Sequence, residues 1–319
     1  MRCQSVAEIV NEADRILFKE QNTSAQAEAE YFFRGESMNF RRKDEGFDKE
    51  LDTAFPCSLD RSPEWYKNER ELYQEAVRLN VVSFSEDRTM VERVARMQHY
   101  QMPTRFCDMS SNVLCSAMFA CGGGDANAAN RDNEHDGYIR VIKVNRKKMK
   151  SFTSDIIMAI AHLPLVNCDR VKPSEPDGLS YLRYEITNSR PGFSMDTCSS
   201  RGDLMTAKEQ LRREIRQVWA FKPIWNTRRI SSQSGAFLAF GCNDYKKPLN
   251  PTFSLEDYDN PEAPSYGIAQ VAVIQINGGF KKSIREELRY FGMPIEGLYP
   301  DLSNVCLEVA NRVKERGAS

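Results

Sequence analysis

The feature that most constrains the fold is an apolar run of strand type, Tyr31-Phe32-Phe33, that ends directly in Arg34 and Gly35. The apolar run seats a strand in a core. The glycine permits a turn or a close backbone approach that a side chain would block. The arginine is then expected at the lip of the fold, where its planar fork can grip a carboxylate or a phosphate. A plain surface arginine at a strand end is the simpler reading, and three later segments weigh against it.

A coarse pass along the chain gives alternating α and β patterns. Val6, Ile9, Val10, Ala13, Ile16 and Leu17 recur at helical spacing, which predicts an opening amphipathic helix within residues 1–25. Ser62 and Pro63 start a helix as cap and first-turn residue, with Trp65, Leu72, Tyr73, Ala76 and Leu79 as its buried face. A second helix carries Met90, Val91, Val94 and Met97, and Pro103 requires it to end near Tyr100. Asn112 caps a third, Val113 to Cys121, that is apolar almost all round and is expected to be buried. Residues 122–136 read as a mobile polar loop, and 163–205 as an insertion with mixed signals. Thr206 to Gln217 reads as a charged helix, 242–266 as a polar loop, and two helices close the chain near Lys281–Phe291 and Leu302–Lys314. Strands are expected near residues 31, 138, 218, 237 and 272. The predicted fold class is α+β, a curved and mostly antiparallel sheet with packed helices, residues 26–319 forming the main domain.

Composition narrows the functional classes. With 44 basic and 45 acidic residues the formal charge is −1, so no whole-chain field favours nucleic acid or an anionic membrane. No apolar stretch reaches the length of a membrane span, and the first residues lead into a charged segment and not into a signal peptide. Nine cysteines without a C-x-x-C pair read as reduced thiols of a cytoplasmic protein. The three histidines, at 99, 135 and 162, have no metal-ligand spacing, so no metal site is expected.

The three further segments are Gln98-His99-Tyr100-Gln101-Met102-Pro103-Thr104-Arg105-Phe106-Cys107-Asp108, running on through Ser110-Ser111-Asn112; Gln233-Ser234-Gly235-Ala236-Phe237; and Leu298-Tyr299-Pro300-Asp301-Leu302. With Phe33-Arg34-Gly35 they resemble the FRG domain family, whose pattern reads FRG, QHxGxPTRLLDxTxNPLxALxFA, QxGxF and LFPDL. The resemblance spans about residues 30 to 310. The chain departs at Gln101, where the family has glycine, at Phe106-Cys107, where it has two leucines, and at Tyr299, where it has phenylalanine.

The order and texture of these motifs are in turn similar to ADP-ribosyltransferases that use an arginine, a Ser-Thr-Ser strand and a glutamate. That resemblance implies NAD as ligand. Arg34 would hold the dinucleotide, and His99, Tyr100, Thr104, Arg105, Ser110 and Ser111 would line its site. Gln233 stands where those enzymes carry glutamate, and glutamine cannot stabilise a growing cation as a carboxylate does. Glu36 or Asp108 would then supply the catalytic carboxylate, or the site binds without turnover. Arg34→Ala is expected to abolish binding and leave the fold intact. Structural readings stand beside these roles: Arg34 or Arg105 as ion-pair partner of Asp108, His99 as a helix-end hydrogen-bonding residue, Gln233 as a turn residue, Cys107 and Cys115 as inert packing. Two other classes remain. One is a catalytically silent sensor or interaction module with a protein partner in a defence or toxin-like system. The other is a nucleic-acid binder using Arg146-Lys147-Lys148 and Arg212-Arg213-Arg216, which the neutral overall charge disfavours.

Overall fold

The computed structural model describes residues 2–23, 29–38, 55–122, 135–165, 213–224, 235–244, 247–249, 251–294 and 297. The Tyr31–Phe33 run lies inside β2 (Ala29–Glu36). It joins β1 (Arg2–Cys3), β3 (Phe106–Ser110), β4 (Gly137–Asn145), β5 (Met149–Ser151), β6 (Val218–Lys222), β7 (Gly235–Phe240) and β10 (Ile268–Ile276) in one open sheet, ordered β1-β10-β4-β2-β3-β7-β6-β5. The inner neighbours pair antiparallel, and only the outermost pairs, β1–β10 and β5–β6, are parallel. All five strands expected from the sequence take part, and the fold is α+β with a mostly antiparallel sheet.

Period-two alternation sorts the side chains onto two faces. One face carries Phe32, Cys107, Met109, Ile142 and Leu238, covered by Phe55, Cys57, Leu59, Tyr66 and Phe253. The opposite face is divided. Phe33, Ile139, Val141 and Ile274 pack under α1 (Val6–Thr23), α5 (Val113–Ala120) and α8 (Lys281–Tyr290). Phe106, Trp219, Phe221 and Phe237 pack under α3 (Glu69–Leu79), α4 (Met90–His99) and α6 (Asp155–His162).

The caps explain where the helices begin. Ser62 Oγ accepts from Glu64 N ahead of α2 (Pro63–Lys67), and Asn112 Oδ1 accepts from Leu114 N at 2.9 Å to open α5. Thr89 caps α4: its Oγ1 accepts from Glu92 N at 3.2 Å and donates to Glu92 Oε1 at 3.1 Å, and Glu92 Oε2 accepts from Arg88 N at 2.9 Å.

Three expectations need correction. The single helix at 62–80 is two, α2 and α3, broken at Asn68. The break shifts the helical phase, so Trp65 and Leu79 are 40% and 72% exposed while Tyr66, Glu69 and Tyr73 turn inward. On α1, Val10 is 40% exposed, just outside the stripe of Val6, Ile9, Ala13 and Ile16. The stretch 242–266 is not all loop: it holds the short pair β8 (Cys242–Asp244) and β9 (Lys247–Pro248), and α7 (Leu255–Asp259). The expected helix at Leu302–Lys314 lies outside the described residues, as do most of Thr206–Gln217, the 122–136 loop and 163–205. Among the described residues no helix is long and apolar enough to cross a membrane.

Candidate functional site

Gly35 exists for a close approach. An added Cβ would stand 1.9 Å from the Ser116 carbonyl oxygen, and one on Gly137 of β4 would stand 2.3 Å from that of Ala120. These two side-chain-free positions let α5 lie directly on the sheet. Gly35 faces α5, so Arg34 projects to the other face, toward Phe55.

There Arg34 is 9% exposed. Its Nε donates to Glu36 Oε1 at 3.0 Å and its Nη1 to the Asp108 carbonyl oxygen at 3.0 Å. Arg140, directly across the ladder, donates from Nε to Glu36 Oε2 at 2.9 Å and from Nη1 to Gln270 Oε1 at 2.6 Å. Phe55 covers both guanidiniums at 5.8 and 5.2 Å. Burial pushes the Glu36 carboxyl up, but Arg140 and Arg34 outweigh it and hold it below the usual carboxylate range. Glu36 is therefore a bridge between two arginines and is not available as a catalytic carboxylate.

The turn from α4 into β3 builds a second cluster. Gln98 Oε1 accepts from Thr104 Oγ1 at 2.7 Å and from Ser58 Oγ at 3.0 Å. These two hydroxyls fix the amide, and its Nε2 donates to Asp108 Oδ2 at 2.7 Å. His99 Nδ1 lies 3.8 Å from Asp108 Oδ1, and its ring meets the edge of Phe237 at 5.4 Å. The Asp108 side chain is 32% exposed.

Residues 29–129 match the family model of the FRG domain. Over that stretch the chain is similar to an FRG domain. Within it, β2 and β3 pair at Phe33 and Ser110, while their longer partners, β4 and β7, come from beyond the matched residues. No curated protein and no solved structure matches the chain.

The FRG tripeptide and the Gln98–Asp108 motif meet at one peptide, because Arg34 bonds the carbonyl of the residue whose carboxylate Gln98 holds. Their side chains part there. Arg34 lies on the Phe55 face, and the Asp108 carboxylate lies with His99 on the Phe237 face. Arg34 does not pair with the Asp108 carboxylate, nor does Arg105. Arg105 is 2% exposed, and its guanidinium takes Glu69 in a forked pair, Nε to Oε1 at 2.8 Å and Nη2 to Oε2 at 2.7 Å. Its Nη1 donates to Tyr66 Oη and to the Gly241 carbonyl, both at 3.1 Å. Thr104 and Ser110 are buried, Ser110 Oγ accepting from Asn112 N at 3.0 Å. Tyr100 and Ser111 are exposed. Gln233 falls outside the described residues. Burial pushes the Cys107 thiol up to about 11 and the Cys115 thiol up to about 12, in keeping with inert packing.

Sequence reasoning passed over Gln98, Ser58 and Glu69, and took Arg140 for the start of a basic cluster on a solvated strand edge, where it is in fact 4% exposed. Gln98 was visible as the first residue of its motif. Arg140 was visible as a charge inside the apolar strand Tyr138–Val144. Ser58 and Glu69 carry no local signal, since only the tertiary fold brings them to Gln98 and Arg105.

Proposed function

We propose that the FRG domain binds an anionic nucleotide, NAD being the first candidate, and cleaves its nicotinamide–ribose bond in the manner of an ADP-ribosyltransferase or NAD glycohydrolase. The observation that carries this reading is the Asp108 carboxylate, which is anchored through Oδ2 by Gln98, one-third exposed and 3.8 Å from His99 Nδ1 at Oδ1. Cleavage of the C–N glycosidic bond passes through an oxocarbenium-like state, and a fixed carboxylate stabilises the developing cation. Nicotinamide leaves with the bonding electron pair, and water or an acceptor nucleophile takes the ribose carbon. Exposed Tyr100 precedes β3 and exposed Ser111 follows it, and these are the hydroxyls this reading assigns to ribose. Arg34 is buried and engaged through Nε and Nη1, so its part in this reading is to hold the Asp108 peptide in place.

A second reading has its own support. Both Arg34 and Arg105 are engaged inside the protein, which suits a silent sensor or interaction module. Titration calorimetry with NAD, ADP-ribose and ATP, together with nicotinamide release, separates the two. The enzyme reading expects NAD binding, nicotinamide release, and a fall in release of about a hundredfold or more in Asp108→Asn, the scale of losing one electrostatic stabiliser. Gln233→Glu is the companion variant, expected to raise release. No nucleotide binding by the wild-type protein moves the conclusion to the interaction module.

A further inference from the structure

The β6–β5 edge of the sheet, away from the β2–β3 junction, holds a lysine that neither reading uses. Lys148 is 4% exposed. Its Nζ lies 3.9 Å from the centre of the Trp219 ring and 5.1 Å from that of Tyr266. Lys150 Nζ approaches the same Trp219 ring at 4.5 Å. Lys148 Nζ donates to a neutral group, Gln217 Oε1, at 2.5 Å. Gln217 is turned that way because its Nε2 donates to the Pro261 carbonyl at 3.0 Å. Trp219 is fixed likewise, Nε1 donating to the Glu214 carbonyl at 2.8 Å.

The lysine stem also has a fitted passage. Gly267 adopts φ +74°, and a Cβ there would stand 2.7 Å from Lys148 Cγ. Among the described residues no carboxylate forms an ion pair with Lys148. A buried ammonium normally has one. Burial first, and then the neighbouring Lys150, push the Lys148 amine down to about 7 against the opposing field of Glu214. Tyr266, whose ring faces the amine at 5.1 Å, is 37% exposed.

We propose that Lys148 is a nucleophilic amine that binds a small anionic aldehyde or ketone as an imine, with the Lys150 ammonium holding the anionic group. The Nζ lone pair attacks the carbonyl carbon, two protons pass from nitrogen to the carbonyl oxygen, and water leaves as the C=N bond forms. No oxidant or reductant is needed. A lysine desolvated beside a second cation is the arrangement that activates an amine for such addition.

The test uses the full-length wild-type protein and pyridoxal 5′-phosphate as the probe, with borohydride trapping and peptide mapping across pH. The expected result is preferential labelling of Lys148 at low probe concentration, half-maximal near pH 7. Labelling spread over the exposed lysines, no labelling of Lys148 in the folded protein, or a Lys148 profile rising only at the pH of ordinary lysines overturns the proposal. Lys150→Gln, or pyridoxal lacking the phosphate, is expected to reduce labelling about tenfold, the scale of one lost charge-assisted contact. Unchanged labelling in both arms removes Lys150 from its role. The mapping needs no Lys148 variant, so a folding defect in Lys148→Met leaves the test intact. Because the readout is labelling, it is independent of NAD binding.

Discussion

The α-carbon of Gly35 lies so close to the carbonyl oxygen of Ser116 that a methyl group on it would stand 1.9 Å from that oxygen. The obstacle is backbone, held by α5 against the sheet, and cannot rotate away. Gly35→Ala is therefore expected to destabilise the fold by about 3 kcal/mol or more, at the upper end of overpacking costs. Urea unfolding followed by circular dichroism checks this; a cost under about 1 kcal/mol would mean that α5 can lift.

Gln101 carries the opposite lesson. It has φ +65°, its N–H bonds the Gln98 carbonyl at 3.0 Å, and Met102 N bonds the Met97 carbonyl at 3.0 Å. This is the Schellman ending of a helix, whose left-handed residue is most often glycine. Gln101→Gly is expected to stabilise the protein by about 0.5–1 kcal/mol, the relief of left-handed strain less the unfolded-state entropy of glycine. Gln101→Val should destabilise it. Thermal unfolding of the pair decides, and equal melting temperatures would count against the cap.

Glu36 ties fold stability to acid. Its carboxyl lies below its ordinary value of 4.5, burial opposing and Arg140 and Arg34 prevailing. With the folded value lowered, the stabilisation is fully present above the unfolded value, and falls as pH drops through the folded one. Wild-type stability should decline below about pH 4.5, and Glu36→Gln should lack that part of the decline while losing about 3–5 kcal/mol at neutral pH. Arg34→Ala should also destabilise, which corrects the expectation that the core survives it. Acid titrations followed by tryptophan fluorescence test the sign.

Arg105 is expected to be intolerant of lysine. A single ammonium cannot reproduce the fork onto Glu69 together with the bonds to Tyr66 and Gly241. Arg105→Lys should cost about 3 kcal/mol, close to breaking a buried pair, and should leave any nucleotide affinity unchanged per folded molecule. A loss of affinity without loss of stability would return Arg105 to the ligand site.

The fold was legible where local rules decide. Pro103 fixed the end of α4, Asn112 and Ser62 marked helix starts, and the alternating strands placed five members of the sheet. The site was legible only as a set of motifs. A motif gives order along the chain but not the face of the sheet, so Arg34 and Asp108 could be brought to the same peptide without their side chains sharing a side. Charged partners were harder still. Glu69 looks like a solvent residue in sequence and Glu36 like a site carboxylate, and only the burial of Arg105 and Arg34 makes both ion-pair partners.

The pairing of Arg2 and Cys3 with Gln275 and Ile276 has a kinetic consequence. On the ribosome the first strand of the sheet must wait for the last. Until Ile268–Ile276 emerges, the far edge of β4 is unpaired and α1 has only part of its seat, that on α5. Closure of this edge of the sheet should thus come late in folding, after the earlier strands have paired.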